Sequence, residues 1–140
     1  LCYDIIYHDP RFDKSSIRKM GKSRSRDGGR DIVVFNRPLL GKKPKKYIVQ
    51  CKAIAPDKSL NTSNLGSISD VIDQYGADGY VVMTCGYIDA TLFDRLDGIG
   101  NRRKVDVVTW SRLEIERFLS RRPTLLSKYM SAINTSIGLA

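Results

Sequence analysis

Two short apolar runs, "YIVQCKAIA" over 47–55 and "YVVMTC" over 80–85, limit what this chain can become more than any other feature. Short, almost wholly apolar runs of this kind read as buried strands. Between them, "SISDVIDQYG" sets Ile68, Val71, Ile72 and Tyr75 at the i, i+3, i+4, i+7 spacing of one helix face, and Ser67 with Asp70 resembles a capping box. Gly76 or Gly79 can close that helix. Strand, helix, strand in this order implies a right-handed parallel crossover. The chain is therefore expected to be α/β.

The remaining periodicities fit around that unit. "LCYDIIYHD" places Cys2, Ile5 and Ile6 on one side of a helix that Asp9-Pro10 ends, and Ile17 to Met20 suits a short strand. A firmer strand runs from 31 to about 36 after the Gly28-Gly29 turn, and "NRPLLGKKPKK" reads as an exposed hairpin loop leading into 46–53. Later come an amphipathic helix through Leu92, Phe93 and Leu96, a strand "VDVVTW", and a helix "SRLEIERFL" whose Ser111 and Glu114 suit a capping box and whose Trp110 and Ile115 suit a staple. "PTLLSKYMSAI" offers a last helix, with Pro123 in its first turn.

At 140 residues the chain fits one domain with one core and is too short for two ordinary domains. It begins at Leu1 rather than Met, which fits a fragment of a longer multidomain protein. No apolar run approaches the roughly 20 residues that span a bilayer, so no membrane partner is expected. The three cysteines, Cys2, Cys51 and Cys85, are far apart and share no metal-ligand spacing; a reducing cytoplasm suits them. The lone His8 has no nucleophile or ligand motif beside it, which argues against zinc chemistry and a catalytic triad.

Net charge is +9, and its location is informative: residues 1–58 hold 15 of the 24 Lys and Arg against 6 of the 15 acids, so the rest of the chain is neutral. No basic residue lies between Lys58 and Arg95. A one-sided positive field suits a polyanion.

Within that basic part, the strand 47–53 carries Gln50 and Lys52 on one face although its surroundings are apolar. If the strands 31–36 and 46–53 form an antiparallel hairpin, paired positions sum to about 82 and Asp31 falls opposite Cys51; a slip of one residue sets it across from Gln50 or Lys52. A carboxylate, an amide oxygen and the Cys51 carbonyl can then share one hard cation, with Mg²⁺ the natural choice. Lys52 is suited to offset charge on a phosphate in the transition state, and such a group suits metal-assisted phosphodiester hydrolysis.

These residues resemble a known family. "DGGRDIVVF" followed by "YIVQCK" is similar to the catalytic core of Mrr-type restriction endonucleases, in the PD-(D/E)xK nuclease superfamily. Asp31, Gln50 and Lys52 match its metal-binding aspartate and its Gln-x-Lys position by position. The resemblance implies a three-layer α/β/α fold with a central mixed sheet, a core order of helix, three strands, helix, strand, and peripheral C-terminal helices. It implies an Mg²⁺- or Mn²⁺-dependent endonuclease acting on double-stranded DNA, an effector of restriction or anti-phage defence, and often a homodimer. It also implies an acidic residue on the first helix. That residue is expected upstream of Leu1; the alternatives are Asp4 as its substitute within the chain, or an incomplete site. Asp27 is read as holding the turn.

For DNA contact the candidates are Lys22, Arg24, Arg26 and Arg30, which lead into Asp31, and Lys42, Lys43, Lys45 and Lys46 of the hairpin loop. Ser23 and Ser25 suit phosphate bonding, and Asn61, Thr62 and Asn64 are polar enough to reach a groove. Competing readings are a DNA-binding module of the same fold without catalysis, and a junction resolvase or RNA-cleaving relative.

Overall fold

The computed structural model describes residues 1–20, 30–55 and 57–136, and of 30, 31 and 130–136 the backbone alone. Its main feature is a five-stranded mixed sheet. The strands are β1 (Arg18–Met20), β2 (Arg30–Phe35), β3 (Lys46–Lys52), β5 (Gly79–Thr84) and β7 (Asp106–Trp110), in the spatial order β1-β2-β3-β5-β7. The first three are antiparallel, and β3, β5 and β7 run parallel. The two-residue strands β4 (Ser59–Leu60) and β6 (Tyr87–Ile88) form a separate parallel pair.

Alternation along the strands splits the core in two. Ile32, Val34, Val49, Val81 and Met83 pack with Ile5 and Ile6 of α1 (Cys2–His8) and with Ile115, Phe118 and Leu119 of α5 (Arg112–Ser120). Leu125 and Tyr129 of α6 (Pro123–Ser136) join this layer. On the other face, Val33, Ile48, Tyr80 and Val82 pack with Leu65 of α2 (Thr62–Leu65), with Ile68 and Ile72 of α3 (Ile68–Tyr75) and with Leu92, Leu96 and Ile99 of α4 (Ala90–Arg103). Helices on both faces explain why β3 and β5 carry almost unbroken apolar runs. The expected α/β/α layering is what the chain adopts.

Local signals account for the crossover helix. The Ser67 hydroxyl accepts the Asp70 N–H, and Gly76 ends α3 in the left-handed region at φ 58°. Losing such a cap costs about 1 kcal/mol, whereas burying Ile68 and Ile72 contributes about 1.5–3 kcal/mol each, so packing holds the helix and the cap sets its start.

Three sequence expectations change. The hairpin register sums to 81, which pairs Asp31 with Gln50 and Arg30 with Cys51. The shift arises at the neck of the loop, where Asn36 N–H donates to the Lys45 carbonyl at 3.0 Å and the Asn36 side chain accepts the Lys45 N–H at 2.7 Å. At α5, Ser111 does not accept a backbone N–H; its hydroxyl donates to the Glu114 carboxylate at 2.6 Å. Finally, Asn61 and Asn64 form the capping box of α2, which gives their side chains a structural task.

Candidate active site

Gln50 sits in the central strand and is 8% exposed. A buried amide without a partner would destabilise the fold by about 1–3 kcal/mol. The Tyr80 hydroxyl, wholly buried on the neighbouring strand, donates to Gln50 Oε1. Tyr80 pairs with Ile48, so its phenol reaches diagonally along the same face to the amide. This contact orients Gln50.

Asp31 lies directly across β2–β3 from Gln50, and directly opposed residues share a face with Cβ atoms about 5 Å apart. Lys52 is half-buried, two residues beyond Gln50 on the same face, and pairs with Thr84. The register thus brings the three residues to one end of the hairpin, at the carboxyl ends of the parallel strands β3 and β5. Open α/β sheets bind ligands at that end. Cys51 points its side chain to the other layer, where its thiol hydrogen-bonds Cys2 and so lowers the Cys2 pKa. The backbone carbonyl is what Cys51 has to offer the site.

The strand pairing sets Asp31, a carboxylate residue, in register with Gln50, and the Cys51 main-chain carbonyl lies between Gln50 and Lys52; these are oxygen donors of the kind that a hard divalent ion takes. Asp4 does not join them. It is on α1, against the opposite layer, and its carboxylate accepts from the Tyr129 hydroxyl and from Lys128 Nζ at 3.2 Å. The Tyr129 hydrogen bond, with help from Lys128, holds the Asp4 carboxyl below the usual carboxylate range although partial burial opposes this. Burial and the Asp4 hydrogen bond push the Tyr129 phenol up. Among the described residues, no group of three or more His, Cys, Asp or Glu is placed to hold a metal.

The basic candidates separate. Lys22, Arg24 and Arg26, like Ser23, Ser25, Asp27 and the Gly28-Gly29 turn, lie outside the described residues, and Arg30 is placed by its backbone across from Cys51. Lys42, Lys43 and Lys45 are exposed in the hairpin loop, and Lys46 is half-buried where β3 begins. Four residues separate Lys46 from Gln50, so the loop lies about 13 Å or more from the site, at the opposite end of the strands. Tyr80, the hydrogen-bond partner of Gln50, is the residue beside the candidate site that sequence reading missed. Its signal was alternation: Tyr80, Val82 and Thr84 share one face of "YVVMTC", so the run is not apolar throughout.

A family model described as restriction endonuclease, of the Mrr catalytic type, matches residues 12–116, about three quarters of the chain. Among solved structures, the DNA modification-dependent restriction endonuclease AspBHI superposes with a TM-score of 0.59 at 18% identity, covering 89% of this chain and 32% of its own. The chain therefore spans about a third of that protein, and the likeness concerns the fold. No curated protein matches. Among the described residues no helix is long and apolar enough to cross a membrane. A family match over so much of the chain makes it a member of the Mrr-type restriction endonuclease family.

Proposed function

We propose that this domain is the nuclease part of a longer restriction or anti-phage protein and hydrolyses phosphodiester bonds of double-stranded DNA with a divalent ion, Mg²⁺ in the cell and Mn²⁺ as a substitute. The observation that carries the reading is the pairing of Asp31 with Gln50, with Lys52 two residues further along the same face. Asp31, the Gln50 amide oxygen and the Cys51 carbonyl would hold the ion. Such an ion supplies Lewis acidity and water activation. Lys52 lies beside the scissile phosphate, offsets the charge that grows on its oxygens and orients the attacking water. Tyr80 keeps the Gln50 amide turned toward Asp31. Arg30 and the cations at 22, 24 and 26 neutralise phosphates next to the site, giving affinity without sequence choice. Pairing of two such domains would let both strands be cut.

One observation favours a second reading, a binding module without catalysis: the single acid of α1, Asp4, is engaged by α6. Supercoiled plasmid incubated with the full-length protein and Mg²⁺ separates the two. The nuclease reading expects nicking that chelation abolishes and that falls at least 100-fold in Asp31→Ala and Lys52→Ala while DNA binding persists. Binding with no nicking by the unmutated protein supports the module. Branched DNA and RNA in parallel reactions identify a resolvase or ribonuclease.

A further inference from the structure

The two most exposed large apolar side chains among the described residues are neighbours. Leu39 is 70% exposed and Leu40 105%, both at the tip of the β2–β3 hairpin. The tip is a built turn rather than a loose tether: Lys42 N–H donates to the Leu39 carbonyl at 2.9 Å, and Gly41 supplies the positive φ of 78° that the turn requires. Pro38 and Pro44 restrict the chain on either side, and the Asn36–Lys45 pair closes the neck. Exposed Lys42, Lys43 and Lys45 follow the two leucines in the loop, whereas the Arg37 guanidinium turns back to the Phe12 carbonyl at 3.3 Å. Two bare leucines on a built turn, with three exposed lysines close behind them in the loop, match the chemistry of side chains that part base steps from the minor groove while their neighbours hold phosphates.

We propose that this tip is a DNA wedge: Leu39 and Leu40 enter between base pairs of the duplex flanking the cut, and Lys42, Lys43 and Lys45 hold the adjoining phosphates. The inference rests on the reading of the domain as one that acts on duplex DNA. The edge strand β1 connects the two regions, because Arg18 and Lys19 are exposed and pair with Val33 and Ile32, between the level of Asp31 and the tip. From Asp31 to Asn36 is five residues, about 17 Å, or about five phosphate steps along one DNA strand. The wedge therefore acts five or more base pairs to one side of the scissile phosphate. The preformed turn lowers the ordering cost of inserting it.

The test uses the full-length Lys52→Ala protein, which leaves the duplex uncut, and a set of duplexes with 2-aminopurine at successive positions. Binding is expected to raise the fluorescence severalfold at one or two adjacent steps and to shorten the end-to-end distance read by energy transfer. Adding Leu39→Ser and Leu40→Ser should return both signals to those of free duplex with the salt dependence of binding unchanged. Adding Lys42→Ala, Lys43→Ala and Lys45→Ala instead should reduce the slope of log K against log salt by about two to three. Bound DNA with no fluorescence rise, or the same rise with serines at the tip, overturns the wedge, whatever the cleavage assay shows. A leucine-dependent rise from a protein that never nicks plasmid keeps the wedge and removes the nuclease reading. Failure to bind duplex removes both. Leucine-dependent binding to phosphatidylserine vesicles with a flat duplex response assigns the tip to lipid and overturns the proposal.

Discussion

Gln50 occupies a position where a carboxylate would be far harder to bury, and the partner of its amide oxygen is a phenol on the next strand. Removing that phenol separates orientation from chemistry. Tyr80→Phe should destabilise the fold by about 1–3 kcal/mol in urea titrations, and single-turnover cleavage should fall about tenfold because the Gln50 amide loses the phenol that orients it. Unchanged stability and rate would mean that Tyr80 is mere filling. That Gln50 and Lys52 share a face was legible in the sequence, because alternation puts every second residue of β3 on one side; the placing of Asp31 across from Gln50 was not, because it depends on the hairpin register. Tyr80 was not, since its reach depends on how β5 registers against β3, and no local pattern reveals a parallel register. Asp4 is a different kind of residue. Its folded pKa lies below its unfolded value, so its bonds to Tyr129 and Lys128 contribute stability above the ordinary carboxylate range and lose it as pH falls through the depressed value. Asp4→Asn should flatten that acid limb of a stability profile while cleavage at neutral pH persists. A limb as steep as before would assign it to other carboxylates.

At the scale of elements, the contact between β3 and β5 is unusually close. A Cβ added to Gly79 would fall 2.2 Å from the Tyr47 ring, which lies over that backbone, and the Tyr47 hydroxyl donates to Asp106 Oδ2 at 2.5 Å on the far side of β5. Burial, then the Asp106 hydrogen bond, push the Tyr47 phenol well above its ordinary value, so it stays a donor through the neutral range. Gly79→Ala should cost at least 1–3 kcal/mol and lower the melting temperature by several degrees, because the ring must leave the strand end. An unaltered melting curve would contradict the close approach. Elements with a long period were legible: α1, α3, α4, α5 and the four core strands all fall within a few residues of their sequence signals. The short α2 and the β4–β6 pair were not, because four- and two-residue elements carry no period. The signal for α2 was chemical, Asn61 with Asn64 three residues on. The hairpin register also lay beyond reach by one residue, since a loop closed by a side-chain amide rather than a tight turn leaves no sequence rule for its neck.

At the scale of the molecule, the charge asymmetry read from the sequence becomes two regions at opposite ends of the same hairpin. The candidate site holds one end, with Arg30 beside it, and the lysines at 42, 43 and 45 hold the other. One duplex lying along the β1 edge would touch both, in keeping with the excess of nine positive charges in residues 1–58, whereas residues 59–140 balance to zero only as a sum, acidic up to 94 and basic beyond. The family fold accounts for the sheet and its flanking helices, while the site depends on the register of a single strand pair. Titration of Mn²⁺ into the full-length protein, followed by the loss of free-ion paramagnetic resonance signal, tests that site most directly. The account predicts a site that weakens at least tenfold in Asp31→Asn and in Gln50→Ala, with secondary structure unchanged by circular dichroism. Mn²⁺ binding that is indifferent to both substitutions would contradict it.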